Sequence, residues 1–271
     1  MTRDRLLLVG SSGAGKSQAI VDIAKALPDS QVFALDIEDS ISPLIRGRPV
    51  PNLNIMRIGI DIVEEDDEAQ FTIELWHSLI KACKDARSQA GPGDFIAFDK
   101  ANLFSEQAMA AFVAETYGKS LLEHRSEKIQ DDDTGFGGFT ANEWAVINGK
   151  YYLTIPRTLS IRCLANVVVT AIETTPPHWV DKASGQMVFR EEHLPYQYKR
   201  AKIKPAGHKA LTEQVDVVMR LQHPAENKWT LGTLGKNRFG VEFDNIDVTG
   251  LSVWEVYCEQ LGVDPGVAPG V

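Results

Sequence analysis

Eight consecutive residues near the start of the chain, Gly10-Ser11-Ser12-Gly13-Ala14-Gly15-Lys16-Ser17, fit the pattern G-x-x-x-x-G-K-[ST]. Glycines at these places let successive backbone N–H groups converge on one anion, and a helix that starts at the lysine adds partial positive charge. Lys16 would reach the β- and γ-phosphates of a triphosphate as a point charge, and Ser17 would hold Mg2+. The four fixed positions arise by chance in roughly one chain in a hundred of this length. Further on, Asp99 ends the apolar run Phe95 to Phe98, where a carboxylate can face the water shell of the same metal ion. The residue after it is Lys100 and not an acid, so a catalytic base must come from elsewhere.

These residues need elements to position them. Leu6 to Val9 is a short continuous apolar run, the pattern of a strand buried on both faces. Lys16 to Leu27 then repeats apolar residues at helical spacing until Pro28. Further strands are expected at Gln31 to Asp36, Asn54 to Ile58, Phe95 to Asp99 and Asn166 to Ile172, with helices at Asp66 to Ala90, Ser105 to His124 and Ala141 to Ala165, the last broken before Pro156. Strands that alternate with helices predict a parallel sheet wrapped by helices. Beyond Thr174 come a hairpin turn at Lys182 to Gly185 and short strands at Val215 to Leu221, Trp229 to Leu234 and Val241 to Phe243, so the C-terminal third reads as more antiparallel.

Composition bounds what the molecule does. With 44% hydrophobic and 24% charged residues the chain has the means to bury a core, and disorder, collagen-like repeats and a bare coiled coil are excluded. Its 28 basic and 37 acidic residues give a net charge of −9, which argues against a broad basic surface. Three cysteines far apart in sequence write neither a zinc site nor a disulfide framework, and no apolar run reaches membrane length. The expectation is a cytoplasmic protein with reduced thiols and no membrane partner.

Together the phosphate loop and Asp99 resemble the RecA-like P-loop ATPases, and within them the small nucleotide-binding proteins encoded by bacteriophages. The fold implied is α/β, with a mainly parallel central sheet flanked by helices and antiparallel strands in the C-terminal third. It would form a single domain over 1–262 with a flexible tail at 263–271. In that family a glutamate after the second strand orients the attacking water. By this resemblance Glu38 is the candidate base, with Asp36 as runner-up in the same acidic turn. Hexameric relatives carry a K-x-R-x-G segment whose cations reach the γ-phosphate of a neighbouring subunit. Lys236-Asn237-Arg238-Phe239-Gly240 matches it, which implies a homo-oligomer with shared sites. Thr170 and Glu173 fall where relatives sense the γ-phosphate. The guanine-reading Asn-Lys-x-Asp signature is absent, because Asn227-Lys228 is followed by Trp229-Thr230; ATP is expected over GTP.

One local basic stretch stands out against the net negative charge. Lys199, Arg200, Lys202 and Lys204 lie near Tyr196 and Tyr198, a mixture that suits single-stranded DNA, where phosphates are neutralised and bases stack. A solvated basic loop, or one that assists phosphates at a subunit boundary, is the alternative. A glycine-containing loop at Gly135 to Gly138 is a second DNA candidate, but its neighbouring aspartates would repel a phosphate backbone. The sequence therefore points to an ATPase using ATP and Mg2+ in DNA recombination, replication or repair. A DNA-packaging motor and a non-catalytic nucleotide-binding module remain as alternatives.

Overall fold

The computed structural model describes residues 3–56, 58–59, 67–130, 139–160, 163–174, 178–180, 187–189, 204–206 and 211–269; side chains at 129–130, 178–180, 187–189, 204 and 235–236 are outside the description. The architecture is α/β, with a central sheet in the strand order β11-β10-β9-β1-β5-β4-β2-β3. β1 (Arg5–Gly10), β2 (Val32–Leu35), β3 (Leu53–Met56), β4 (Phe95–Phe98) and β5 (Asn166–Thr174) are mutually parallel, and β9 (Val217–Ala225) joins β1 in the same direction. β10 (Lys228–Asn237) and β11 (Ile246–Asp247) complete the far edge as antiparallel strands. The predicted mix of parallel and C-terminal antiparallel pairing is therefore present.

Alternation along each strand divides the core in two. Leu7, Val9, Phe33, Leu35, Ile96 and Phe98 face α2 (Glu68–Gln89) and α3 (Ala101–Tyr117), while Leu6, Leu8, Val32, Ala34, Phe95 and Ala97 face α1 (Lys16–Ala26). α2 begins at Asp67, whose carboxylate accepts from the N–H groups of Ala69 and Gln70, and it buries Trp76, Leu79, Cys83 and Ala86.

The helix expected at Ser105 to His124 is placed differently. It begins at Ala101, directly after Asp99-Lys100, and stops at Gly118, whose φ of 63° closes it. Ser120 then starts α4 (Leu121–Gln130), accepting from the Glu123 N–H while the Glu123 carboxylate accepts from the Ser120 N–H. The segment expected as one broken helix forms α5 (Ala141–Tyr152) and α6 (Ile155–Leu159), with Pro156 in the first turn of the second, where its missing N–H costs nothing. The strand expected at Val241 to Phe243 lies instead at β11, although the Phe243 carbonyl still accepts from Thr233 of β10.

The Lys182 to Gly185 turn lies outside the described residues; it is flanked by β6 (His178–Val180) and β7 (Met187–Phe189), which pair antiparallel. The two-residue β8 (Lys204–Pro205) pairs with the end of β5 and α7 (Leu211–Gln214) follows it. α8 (Val253–Leu261) packs on α1 and the sheet. In the segment expected as a tail, the carbonyls of Pro265 and Pro269 accept from Trp254 and Asn166. Cys83, Cys163 and Cys258 are buried free thiols, and among the described residues no helix is long and apolar enough to cross a membrane.

Candidate functional site

Parallel strands present their carboxyl ends along one edge, and the loops there converge. β1 runs into Gly10–Gly15 and then α1; β2 runs into Asp36–Glu38; β4 runs into Asp99–Lys100; β5 carries Thr170 and Glu173. The chemistry-bearing residues predicted around the phosphate loop are thus gathered at one end of the sheet.

Glycine is required in the loop for two different reasons. A Cβ on Gly10 would overlap the Leu221 backbone carbonyl of β9, so β1 and β9 approach this closely only without a side chain. Gly15 holds φ at 94°, a left-handed conformation that starts α1 without strain only in glycine. The four N-terminal amides of α1 have no partner within the helix, an arrangement that can accept an anion. Lys16 is only 6% exposed, and its Nζ donates to the carbonyls of Gly10 (3.0 Å) and Ser11 (2.6 Å), closing the loop on itself. Burial pushes its ammonium below the usual lysine range; the nearby Asp99 opposes that and Lys100 adds to it.

Asp99 is the hub of the opposite wall. The Ser17 hydroxyl donates to Oδ2 at 2.7 Å, the Ser40 hydroxyl to the same oxygen at 2.5 Å, and the Thr170 hydroxyl to Oδ1 at 2.5 Å. At 1% exposure this carboxylate stays in place because three hydroxyls satisfy it. Sequence reasoning paired Ser17 with Asp99 through a metal ion; the two are in direct hydrogen-bond contact. This oxygen-only donor set suits a hard cation such as Mg2+, which draws its remaining ligands from phosphates and water.

Asp36 and Glu38 do different things. Asp36 is 6% exposed; its carboxylate accepts from the Ile41 N–H at 2.7 Å and lies 3.1 Å from the Ser40 hydroxyl, whose one proton goes to the closer Asp99, so it shapes the turn. Glu38 reaches toward the site and forms an ion pair with Lys100. Glu173 pairs with Arg220 of β9 at 3.0 Å. Ser40 and Arg220 carry no sequence motif and were missed; only their spatial neighbours identify them.

Arg238 lies elsewhere in the chain. Its guanidinium contacts Asp216 at 2.8 Å, its N–H donates to the Asp216 carbonyl, and Arg5 holds the same carboxylate through two bonds. Asp216 flanks the start of β1, so the length of that strand, about 16 Å at 3.3 Å per residue, separates Arg238 from its own phosphate loop. The Lys236 side chain is outside the description. So are Tyr196, Tyr198, Lys199, Arg200, Lys202 and the Gly135 to Gly138 loop. Of Lys204 only the backbone is described: it pairs with Thr174 at the carboxyl end of β5.

Beside that loop runs a groove of about 310 Å³ lined by Gly13 to Gly15, Gln18, Asp22, Leu221, Trp229 and Leu251. This is large enough for a small-molecule moiety. Trp229 stacks on His223, with ring centroids 4.3 Å apart and planes 8° apart. Asp22 accepts from Gln18 at 2.8 Å, and burial raises its carboxyl above the usual range.

No protein-family model matches the sequence, and no curated protein matches it. Among solved structures, the chain is similar to an ATPase from the type III secretion system of pathogenic bacteria, at 12% identity and a TM-score of 0.37, over 80% of this chain and 52% of that one. It is also similar to the RadB recombinase, at 12% identity and a TM-score of 0.36, over 90% of this chain and 85% of that one. The chain thus spans about half the length of the secretion ATPase.

Proposed function

We propose that the protein binds MgATP and hydrolyses it as a RecA-type ATPase, acting on DNA. The observation that carries the reading is the placement of Ser17 and Asp99 in direct contact, 2.7 Å apart, beside a lysine buried inside a glycine-built anion loop. Lys16 would exchange the Gly10 and Ser11 carbonyls for the β- and γ-phosphates, a better partner for an ammonium disfavoured by burial. Ser17 and Asp99 would hold Mg2+, which when bound neutralises charge on the β- and γ-phosphoryl oxygens. Glu38 would align the attacking water and take its proton. The groove bearing Trp229 is the place for the nucleoside.

Arg238 is about half exposed and held too far away to serve its own loop, which favours the reading that it and Lys236 act on a neighbouring copy. The DNA part of the proposal rests on the sequence of the basic stretch 199–204 and on the pairing of the Lys204 backbone with the end of β5.

Lys16→Ala is the test. We expect ATP turnover to be abolished and the quenching of Trp229 fluorescence by MgATP to be lost, with the circular dichroism spectrum unchanged. Unchanged turnover would remove the central assignment. Adding single-stranded DNA to the wild-type assay separates the readings: stimulation supports action on DNA, and tight MgATP binding without turnover in either condition points to a binding module.

A further inference from the structure

Lys100 stands where an acid would have completed a metal-and-base pair, and its geometry assigns it another task. Four non-glycine residues among those described have positive φ: Asp39, Lys100, Asn227 and Asn245. Asp and Asn tolerate this conformation through local hydrogen bonds, whereas lysine has no such compensation. Lys100 is also the N-cap of α3 and supplies no side-chain cap. Glycine, asparagine or aspartate there would relieve the backbone, and the last two would also cap the helix. Strain kept at such a place points to use.

The backbone at Lys100 is clamped. Its N–H donates to the Thr170 hydroxyl at 2.8 Å, and that hydroxyl donates to Asp99. From this fixed base the side chain crosses to Glu38, with the Lys100 side chain one-quarter exposed and that of Glu38 about half exposed. A pair so open to water is weakly held and easily exchanged. Ser17, the residue after Lys16, donates to Asp99, the residue before Lys100, so both lysines stem from the two sides of one contact. Two cations therefore border one small space, and a polyanion is what would satisfy both.

We propose that Lys100 senses the γ-phosphate and positions Glu38: without a triphosphate it holds Glu38 in an ion pair, and with one bound it transfers to the γ-phosphate and releases Glu38 to the attacking water. This rests on the nucleotide-binding reading above. It makes Glu38 and the γ-phosphate competitors for one ammonium. ADP, which lacks that phosphate, leaves the pair intact.

The experiment is a double-mutant cycle on affinity, with Mg2+ and either a non-hydrolysable ATP analogue or ADP, followed by calorimetry. Glu38→Gln removes the competing carboxylate and should tighten the analogue on the order of three- to tenfold, with ADP unchanged. Lys100→Met should weaken the analogue by a similar factor and leave ADP alone. The double variant should match Lys100→Met, because the gain from Glu38→Gln needs the lysine. Lys100→Gly should lower turnover while its thermal midpoint stays at or above that of the wild type. An unchanged preference for the analogue over ADP in Lys100→Met overturns the proposal, as does a gain from Glu38→Gln that persists in the double variant. If the wild type binds both nucleotides in a Lys16-dependent way and the cycle is flat, this sensor alone falls. If neither nucleotide binds, the phosphate-site reading falls with it.

Discussion

Asp99 gathers the hydroxyls of Ser17, Ser40 and Thr170 on one buried carboxylate, and these supports were unequally legible. The phosphate loop reads directly from sequence because its glycines, lysine and serine are neighbours in the chain and act through local backbone. Asp99 reads from its place at the end of an apolar strand. Thr170 reads only by resemblance, as a position that senses the γ-phosphate; its bond to Asp99 does not read at all, because it exists only through β5 lying between β1 and β4, with Val169 opposite Phe98. That bond gives a test. Thr170→Val would leave Asp99 Oδ1 without its donor and the Lys100 N–H without its acceptor, at a cost of about 1–3 kcal/mol. Thr170→Ser should keep most of the stability. Urea unfolding measures the first effect, and ATP turnover should fall with it in the valine variant alone.

At the scale of elements, strand order decides which loops meet. The apolar runs and helical periods marked β1, β2, β4 and β5 well, since each carries a continuous apolar run buried on both faces. Boundaries fared worse where the deciding residue is a conformational exception: α3 starts four residues before the expected Ser105 because Lys100 takes a left-handed turn that periodicity does not encode. The packing of β1 against β9 is likewise invisible in either strand alone. It is enforced at Gly10, where any side chain meets the Leu221 carbonyl, a backbone atom that no rotamer change removes. Gly10→Ala should therefore push β9 away and destabilise the protein by about 1–3 kcal/mol. Amide hydrogen exchange should quicken first along β9, and nucleotide binding should weaken because the loop leaves its seat. Exchange at β9 matching the wild type would show that the strands accommodate the methyl group.

Across the whole molecule the two ends of the sheet carry different electrostatics. The phosphate loop is at one end. At the other, Asp4 lies buried where β1, β5 and α8 begin or cross: its N–H donates to the Asn166 side chain at 2.8 Å and its carboxylate accepts from the Tyr257 hydroxyl at 3.2 Å. Burial, assisted by the nearby charge of Asp216, raises its carboxyl from 3.8 to about 6, against the smaller opposing effect of the Tyr257 bond. Because the folded value is the higher one, the folded state holds the proton more tightly. The stability this brings is complete below pH 4 and is lost as pH rises through about 6. The gap between the two values corresponds to about 3 kcal/mol at most, so near neutral pH an ionised Asp4 is a standing cost. Asp4→Asn keeps an acceptor for Tyr257 and carries no charge. Its stability relative to the wild type should be close to zero at pH 4 and grow to about 1–3 kcal/mol by pH 8. Taking the difference between the two proteins in urea at each pH cancels every other carboxylate they share. Since Asp4 lies a strand's length from the phosphate loop, turnover by the variant should match the wild type. A difference that stays flat from pH 4 to pH 8 would mean that the Asp4 carboxyl titrates in the folded protein as it does in the unfolded chain.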